Sequence, residues 1–392
     1  MQVSRHRRQK IEQLRQAVSD NTDNSTDTSP DDLVSLRRQI DAVDDDLLRL
    51  INERAQCARR VGYLKSAQAD QADGGGTQIY RPEREAEILR RVKALNKGPL
   101  SDAQVSFFFR ELISTCLSLE APIQVAYLGP PGSFSAEAAY KHFGHAARHA
   151  PMDSIDAIFR EVETGRMQYA VVPLENSTEG AVGRSMDMLL ATPLKICGEV
   201  LLRIHQNLLS RAEHLQAIET VYSHTQSLAQ CHEWLNAHLP GVERVAVASN
   251  SLAAEMAAKD PRTAAIAGAA AARLFELDIL ADHIEDEANN STRFIVLGTH
   301  DTQPTGQDKT SLIISTPHRA GSLIKALAAF SEVNISMTRL ESRPAREMLW
   351  DYVFHVDIEG HRDDIRAKMA LSLLEERAAF VKILGSYPLA TS

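Results

Sequence analysis

The chain has 392 residues, of which 44% are hydrophobic and 24% charged, and this composition is typical of a globular protein with two or three domains. Its net charge of -9 disfavours nucleic acid or an anionic membrane surface as a partner, and no apolar segment approaches the roughly 20 residues that cross a bilayer. The cysteines lie far apart and form no CxxC pair, which indicates neither a disulfide framework nor a zinc site. Free thiols in the cytoplasm are expected for Cys57, Cys116, Cys197 and Cys231.

The first 30 residues start with the basic stretch "MQVSRHRRQK" and end in a polar one, "SDNTDNSTDTSP". They lack the apolar core of an export signal and any helical or strand periodicity. We therefore predict a disordered extension over residues 1–30. A nucleic-acid-binding arm is the less favoured alternative.

A long helix is predicted from Asp32 to about Ala69 by an apolar seam that recurs at steps of three and four. Arg54 interrupts this seam. A buried guanidinium needs an anionic partner, so Arg54 indicates an anion site. Lys65 follows about three turns later and so lies on nearly the same face. The seam consists of Leu36, Ile40, Val43, Leu47, Leu50, Cys57, Val61 and Leu64.

Arg37 is separated from Lys65 by 28 residues of this helix, or roughly 42 Å, which no small metabolite spans. If both belong to one kind of site, Arg37 must serve the site of another chain. The uncovered seam also requires a partner, and we predict a homodimer or a higher homo-oligomer of interlocked helices. Taken singly, Arg37 and Lys65 are better explained as solvated helix charges, whereas this explanation fits Arg54 poorly.

Two further helices are predicted, one opening at Pro82 in "YRPEREAEILRRV" and one in "SDAQVSFFFRELISTCLSLE", after a break at "DGGG" (73–76). With the long helix they form an all-α block, residues 31–121, that resembles the chorismate mutase family. The resemblance implies rearrangement of chorismate to prephenate without metal or cofactor. Arg54, Lys65 and Arg37 from the partner would hold the substrate carboxylates, and Glu85 would orient the ring hydroxyl. The other matched wall positions are Arg81, Arg84, Cys116 and Glu120.

Two of these positions depart from the family pattern: Arg81 stands where some members have an acid, and Glu120 where many have glutamine. A carboxyl group beside the breaking ether bond helps only when protonated, because the ionised form repels the developing negative charge. The predicted mutase rate therefore falls as pH rises.

From residue 122 onward, short apolar strands alternate with amphipathic helices, as in α/β proteins, whose ligand sites lie at strand ends. Four polar segments occur at such positions: "GPPGSFS" (129–135), "ENSTEG" (175–180), "SHTQ" (223–226) and "NNSTRF" (289–294). A single polar strand end is usually a turn or a cap. Four of them in one block favour a ligand cleft.

Together these segments resemble the prephenate dehydratase family, which implies two α/β lobes, periplasmic-binding-protein-like, over residues 122–300, with the chain crossing between lobes near 191–210 and near 290. The implied reaction removes carbon dioxide and the ring hydroxyl from prephenate to give phenylpyruvate. Thr292 would donate a hydrogen bond to the departing hydroxyl. Strand alternation sends Arg293 to the face opposite Thr292. Threonine at position 225 departs from the usual proline. The implied substrate-positioning residues are Asn176, Ser223, Gln226, Gln230 and Arg293.

Three histidines, His142, His145 and His149, fall at roughly helical spacing, but Gly144 interrupts the helix and no acidic or thiol ligand accompanies them. We predict surface histidines and no metal site.

The C-terminal part, residues 301–392, follows a linker and reads strand, helix, two strands, helix, strand, which predicts an α+β ferredoxin-like module. "HRAGSLIKAL" (318–327) and "LESRP" (340–344) resemble the phenylalanine-binding segments of the ACT regulatory domain. The resemblance implies feedback inhibition by L-phenylalanine bound through backbone N–H groups and Glu341. The matched positions are Ala320, Gly321, Ser322, Leu323, Glu341, Ser342, Arg343 and Pro344.

Two other functions compete with this bifunctional, phenylalanine-regulated enzyme. A mutase fused to another prephenate-using enzyme, such as a dehydrogenase, would need a GxGxxG fingerprint after a strand, and the sequence has none. A non-catalytic amino-acid sensor would not need Thr292 or the mutase block.

Overall fold

The computed structural model describes residues 30–69, 80–344 and 352–390. Residues 1–29 of the predicted N-terminal extension and the predicted helix break at 73–76 lie outside these ranges, and Pro30 belongs to a helix instead of the extension. Within them, no helix has both the length and the apolar composition that a membrane span requires.

The N-terminal block is helical, as predicted, and consists of α1 (Pro30–Ala69), α2 (Pro82–Leu95) and α3 (Asp102–Ser118). Proline in the first turn of α2 needs no hydrogen-bonded N–H there. A capping box starts α3, because the Ser101 hydroxyl accepts from the Gln104 N–H and the Gln104 side chain accepts from the Ser101 N–H. Local sequence therefore determines where these helices begin.

The apolar seam of α1 is in contact with solvent in the single chain. Leu36, Ile40, Val43, Leu47 and Leu50 are each between 48 and 58% exposed. A contiguous apolar stripe of this length on one helix face is typical of an interaction surface.

The first lobe of the α/β part is one six-stranded sheet with helices on it. Its elements are β1 (Gln124–Leu128), α4 (Phe134–Phe143), β2 (Arg148–Met152), α5 (Ile155–Glu163), β3 (Tyr169–Asn176), β4 (Gly180–Ala181), α6 (Gly183–Ala191), β5 (Lys195–Arg203) and β11 (Ser291–Gly298). The strand order is β2-β1-β3-β11-β5, with β4 on β3. β1 is parallel to β2 and β3, and β11 is antiparallel to β3 and β5.

The second lobe is a five-stranded sheet inserted between β5 and β11. Its elements are β6 (Asn207–Ser210), a 3-10 turn (Leu215–Ala217), β7 (Thr220–Ser223), α7 (Thr225–Gln230), α8 (His232–His238), β8 (Glu243–Ala246), α9 (Asn250–Ala257), β9 (Thr263–Ala267), α10 (Ala269–Phe275) and β10 (Asp278–Ala281). The strand order is β10-β6-β9-β7-β8. The chain crosses between lobes after β5 and again before β11, at the predicted places.

The C-terminal module has the predicted strand and helix order. It comprises β12 (Asp308–Ser315), α11 (Ser322–Glu332), β13 (Met337–Pro344), β14 (Tyr352–Glu359), α12 (Ile365–Arg377) and β15 (Phe380–Pro388). The antiparallel order β13-β14-β12-β15 is that of a ferredoxin-like fold. Its sheet is not a separate body, since Ile313 and Tyr387 share one buried cluster with Val172 and Ile295 of the first lobe.

Candidate active sites

A cleft of about 340 Å³ lies between the two lobes of the α/β part. Ser133, His224, Ser249 and Gly268 line it, and they are the N-cap residues of α4, α7, α9 and α10. The first N–H groups of a helix have no partner within the helix, and the helix start also carries the positive end of the helix dipole. The cleft is therefore suited to bind an anion.

The charge of the cleft wall supports this interpretation. Among the described residues that line it there is no Lys, Arg, Asp or Glu. An anionic ligand would be held by N–H groups, amides and hydroxyls, without a carboxylate to repel it.

Thr292 and Asn176 lie side by side in the cleft wall. Asn176 Oδ1 accepts from the backbone N–H groups of Thr178 and Glu179, at 3.0 and 3.1 Å. This fixes the amide, so that Nδ2 donates to Thr292 Oγ1 at 2.8 Å and to Asn290 Oδ1 at 2.7 Å. Because Thr292 accepts from Asn176, its own hydroxyl proton can be donated to a ligand in the cleft.

A β-bulge beside this pair shapes the same wall. Thr292 is the register partner of Asn176 and Phe294 that of Pro173, so two residues lie between the partners on β3 and only one on β11. Strict alternation would send Pro173 and Asn176 to opposite faces, yet both line the cleft. The extra residue re-aims the strand end, as bulges next to sites commonly do.

The predicted Gln226 and Gln230 line the cleft, whereas Ser223 does not. Ser223 is fully buried at the end of β7, with its hydroxyl 2.9 Å from Asn250 Oδ1 and 2.8 Å from the Ile266 carbonyl. It lies behind the wall and supports Asn250, which is itself a lining residue.

Several polar cleft residues were not among the predicted site residues, including Gln206, Ser227, Asn250 and Asn290. Asn290 donates to Gln230 Oε1 at 3.2 Å, and both Gln206 and Asn250 donate to the Ser227 hydroxyl, at 3.0 and 2.8 Å. Asn250 carries a usable signal, because it follows strand β8 in "RVAVASN" just as the other polar segments follow theirs. Asn290 lies within the polar segment "NNSTRF" (289–294).

Arg293 faces away from the cleft, as alternation predicts. Its guanidinium lies 2.9 Å from Glu199, 2.5 Å from Asp357 and 2.8 Å from the Tyr387 hydroxyl, all buried. Direct contact with a substrate in the cleft, which the resemblance implied, is therefore not supported by this placement. Arg293 joins the first lobe to the C-terminal module.

In the helical block, Lys65 and Glu120 form an ion pair, with Nζ 3.1 Å from Oε2. The chain segments approach closely here, because a Cβ built on Gly62 would lie 3.2 Å from Glu120 Cβ. Cys116, one turn before Glu120, is buried. These three of the predicted mutase residues share one region.

Glu85 belongs to a different cluster. Its carboxylate is buried and lies 3.3 Å from Arg110 Nε, and the Tyr80 hydroxyl lies 2.8 Å from His142 Nε2. Burial raises the pKa of Glu85, while Arg110 and a hydrogen bond from Tyr80 act in the opposite direction. Glu85 thus contacts residues at the junction with the first lobe, and not the Lys65–Glu120 pair.

The remaining cations of the predicted mutase set lie nearer to solvent. Arg81 pairs with Glu83 at 2.9 Å and Arg84 with Glu87 at 2.8 Å, and both arginine side chains are more than half exposed. On α1, Arg37 is exposed and Arg54 partly buried.

The histidine prediction is correct for His145, which is exposed and pairs with Glu111 at 2.9 Å. It is wrong for His142 and His149, which are partly buried; His142 lies among aromatic rings, and His149 Nε2 is 2.8 Å from the Gly144 carbonyl oxygen. No group of three metal-ligating side chains occurs within the described ranges.

The C-terminal module has a cavity of about 480 Å³ at the start of α11. The predicted residues Ala320, Gly321, Ser322 and Leu323 all line it, together with aromatic side chains at the start of β14. The second predicted group, Glu341, Ser342, Arg343 and Pro344, lies on β13, and the described lining of this cavity does not include it.

Comparison with known proteins matches both enzymatic parts of the chain. The family model for chorismate mutase type II matches residues 36–121, and that for prephenate dehydratase matches residues 125–302. Two curated relatives are called bifunctional chorismate mutase/prephenate dehydratase. The protein from Neisseria gonorrhoeae is 51% identical over 361 residues, covering 91% of this chain and 97% of the relative. The protein from Stutzerimonas stutzeri is 48% identical over 359 residues, covering 91% and 98%.

A crystal structure of prephenate dehydratase from Arthrobacter aurescens in complex with L-Phe is 32% identical, with a TM-score of 0.63. The structural match covers 68% of this chain and 90% of the chain from Arthrobacter aurescens. The matches span the helical block and the two-lobed part in one chain, in the order seen here. The chain belongs to the bifunctional chorismate mutase/prephenate dehydratases.

Proposed function

We propose that Thr292, oriented by Asn176, is the hydrogen-bond donor to the departing hydroxyl when this enzyme dehydrates prephenate in the cleft between the lobes. The observation that carries the proposal is the 2.8 Å hydrogen bond from Asn176 Nδ2 to Thr292 Oγ1. It occupies an acceptor site on the threonine oxygen and directs the hydroxyl proton toward the ligand.

In this reaction the bond between the ring and its carboxylate breaks and gives its electron pair to the ring. The C–O bond at the opposite carbon gives its pair to the departing hydroxide, so carbon dioxide leaves and the ring becomes aromatic. Hydroxide is a poor leaving group and needs a proton by the time it departs. Threonine is a very weak acid, so we assign Thr292 a donor role in a relay that ends in water.

The substrate is a dianion, and the helix starts around the cleft suit it. The N-termini of α4 and α9, at Ser133 and Ser249, supply backbone donors, while the side chains of Gln226 and Gln230 supply amides. Arg293 would act indirectly, through the strand that carries Thr292.

For the mutase reaction we propose a site assembled from two chains. Glu120 would act on the ether oxygen of chorismate, with Lys65 and Arg54 from the same chain and Arg37 from a partner subunit binding the carboxylates. The exposed seam of α1 supports a homodimer, because a second copy of the helix would cover it. Arg81, Arg84 and Cys116 remain proposed wall residues. For Glu85 we favour a structural role at the junction of the helical block and the first lobe, which its contact with Arg110 supports.

For the C-terminal module we propose the ACT regulatory domain and feedback inhibition by L-phenylalanine. The cavity beside Gly321 and Ser322 offers backbone donors for a carboxylate and aromatic rings for an apolar side chain. The relative from Arthrobacter aurescens, whose crystals contain L-Phe, lends further support. The proposed boundaries are 31–121 for the mutase, 122–300 for the dehydratase and 301–392 for the regulatory domain, and the proposed location is the cytoplasm.

The test of the dehydratase proposal is to supply chorismate and follow prephenate and phenylpyruvate together. Thr292→Ala should accumulate prephenate at an unchanged mutase rate, whereas Thr292→Ser, which keeps the hydroxyl, should retain much of the phenylpyruvate formation. Undiminished phenylpyruvate formation by Thr292→Ala would remove Thr292 from the mechanism.

A further inference from the structure

Four charged residues form two cross-strand pairs that face each other across the junction of the first lobe and the C-terminal module. In the lobe, Glu175 of β3 is the register partner of Arg293 of β11. In the module, Arg339 of β13 is the register partner of Asp357 of β14. We call these four residues the charge quartet.

The charge quartet is bonded crosswise between the two domains. Arg293 Nη1 lies 2.5 Å from Asp357 Oδ2, and Arg339 Nε contacts Glu175 Oε2. The side chains of Arg293, Asp357 and Arg339 are at most 10% exposed, and that of Glu175 is 34% exposed. Every member thus has an opposite charge beside it on its own sheet and a bonded opposite charge on the other.

The two lobe members are the immediate neighbours of the proposed catalytic pair. Asn176 follows Glu175 on β3, and Thr292 precedes Arg293 on β11. Asn176 and Thr292 are themselves register partners. The ion pairs therefore hold both strand ends from behind, one residue away from the side chains that face the cleft.

We propose that the charge quartet positions Asn176 and Thr292 for dehydration, so that two strands of the C-terminal module take part in setting the dehydratase rate. The inference rests on the proposed role of Thr292. A displacement of about 1 Å at a reacting group can lower a rate about 100-fold, so a contact that fixes two strand ends affects catalysis through their position.

The surroundings of the quartet are built to keep it charged. Ser311 Oγ donates to Asp357 Oδ1 at 2.5 Å, and Arg293 also contacts Glu199 at 2.9 Å. Burial alone would raise the pKa of Asp357, but Arg293 and the Ser311 hydroxyl hold that pKa below its ordinary value. Removing one partner of such a buried pair leaves the other charge uncompensated, which is costly.

The Glu175–Arg339 pair provides the test, because Glu175 is partly exposed and its neutral isostere should not prevent folding. In the full-length enzyme, Glu175→Gln and Arg339→Gln should each lower the dehydratase kcat about tenfold, while KM for prephenate and the mutase rate stay within about twofold. The double variant should lose about tenfold as well, since the two changes remove one interaction. Arg339→Lys, which keeps the charge, should recover most of the rate.

Asp187→Asn is the matched control. Asp187 lies on α6 and pairs with Arg343 at 3.1 Å, so it also joins the lobe to β13 but does not lie on either strand of the catalytic pair. The Asp187→Asn variant should have a melting temperature lowered about as much as that of Glu175→Gln, and an unchanged dehydratase kcat. Equal kcat values for both variants, or losses that multiply in the double variant, would overturn the inference. Thr292→Ala is assayed in parallel: if it keeps full activity, the role of Thr292 fails instead.

Discussion

Asn176 of β3 and Thr292 of β11 are register partners in the sheet, and their side chains are joined by a hydrogen bond of 2.8 Å. The orientation of the Asn176 amide is fixed by two backbone N–H groups on its oxygen. The atom facing Thr292 is therefore a donor.

Asn176→Asp tests this polarity with almost no change in shape. A carboxylate oxygen would replace the donor and accept the Thr292 proton, which would no longer reach the substrate. We expect the dehydratase kcat to fall about 100-fold or more, the size of effect seen when one preorganised donor is lost, with the mutase rate unchanged. The rate of phenylpyruvate formation from prephenate measures the dehydratase kcat.

The control is Asn236→Asp, the same change at an exposed position of helix α8. It should behave as the wild-type enzyme. Full dehydratase activity in Asn176→Asp would mean that the threonine proton is not directed by this amide.

The mutase rate should depend on pH through Glu120, whose carboxylate lies 3.1 Å from Lys65. Only a protonated carboxyl group can donate to the ether oxygen, and the ionised form repels the charge that develops there. The rate of chorismate consumption should therefore fall with rising pH, and Glu120→Gln, a donor at every pH, should flatten the profile. An identical profile in both proteins would exclude Glu120 from this role.

The two-chain mutase site predicts complementation between inactive variants. If each site takes Arg37 from one chain and Lys65 from the other, a mixed dimer of Arg37→Ala and Lys65→Ala chains has one site with both changes and one intact site. Random exchange of subunits should then restore about a quarter of the wild-type mutase activity from two inactive proteins. The activity is measured after the two proteins are denatured and refolded together.

Refolding each variant alone provides the control and should give no activity. If the mixture were as inactive as each variant alone, Arg37 and Lys65 would not come from different chains of one site. If either variant were active alone, that residue would not be required for catalysis.

Much of the cleft could be predicted from the sequence because strand geometry is local. A period of two separates Thr292 and Phe294 from Arg293, and the structure has them on opposite faces. Polar residues after buried strands converge because neighbouring strand ends meet at one sheet edge. The same reasoning applied after β8 would have found Asn250.

The partners of buried charges could not be predicted in this way. Glu175 pairs with Arg339 across 164 positions of sequence, and nothing local to either residue indicates the other. Glu85 shows the same limit: its position in α2 is clear from helix periodicity, but the side chain is bound by Arg110 of α3 at the junction with the lobe. Such pairs depend on how domains dock, which periodicity does not describe.

The stability of the enzyme should fall in mild acid, partly through His355. Burial, reinforced by Arg339, lowers the pKa of His355 from its ordinary value near 6.5 to about 4. As pH falls, His355 therefore takes up a proton near pH 6.5 in the unfolded chain but only near pH 4 in the folded chain. The stability that neutral His355 contributes is fully present above pH 6.5 and is lost as pH falls toward 4. The loss approaches about 1.4 kcal/mol per pH unit.

His355→Gln should reduce the slope of unfolding free energy against pH between about 4 and 6.5, measured by urea denaturation. His238→Gln, on the exposed end of α8, is the control and should keep the wild-type slope. If His355→Gln kept that slope too, other buried groups would have to account for the acid sensitivity.

Phenylalanine inhibition should depend on the backbone at Gly321, the N-cap of α11. Gly321 has a φ of +78°, which L side chains rarely adopt, and a Cβ there would meet nothing within 4 Å. Gly321→Ala therefore distorts the proposed carboxylate site through backbone strain of about 1–2 kcal/mol, without a clash. Half-maximal inhibition should require about tenfold more phenylalanine, at unchanged uninhibited kcat.

Gly306 offers a matched control, since it has a φ of +81° and equally open surroundings in the linker before β12. Gly306→Ala imposes the same kind of strain away from the cavity, and its inhibition curve should match that of the wild-type enzyme. If both variants shifted the curve equally, general strain in the module would explain the loss. Because Gly321 and Gly306 differ chiefly in location, a shift confined to Gly321→Ala would locate the phenylalanine carboxylate at the start of α11.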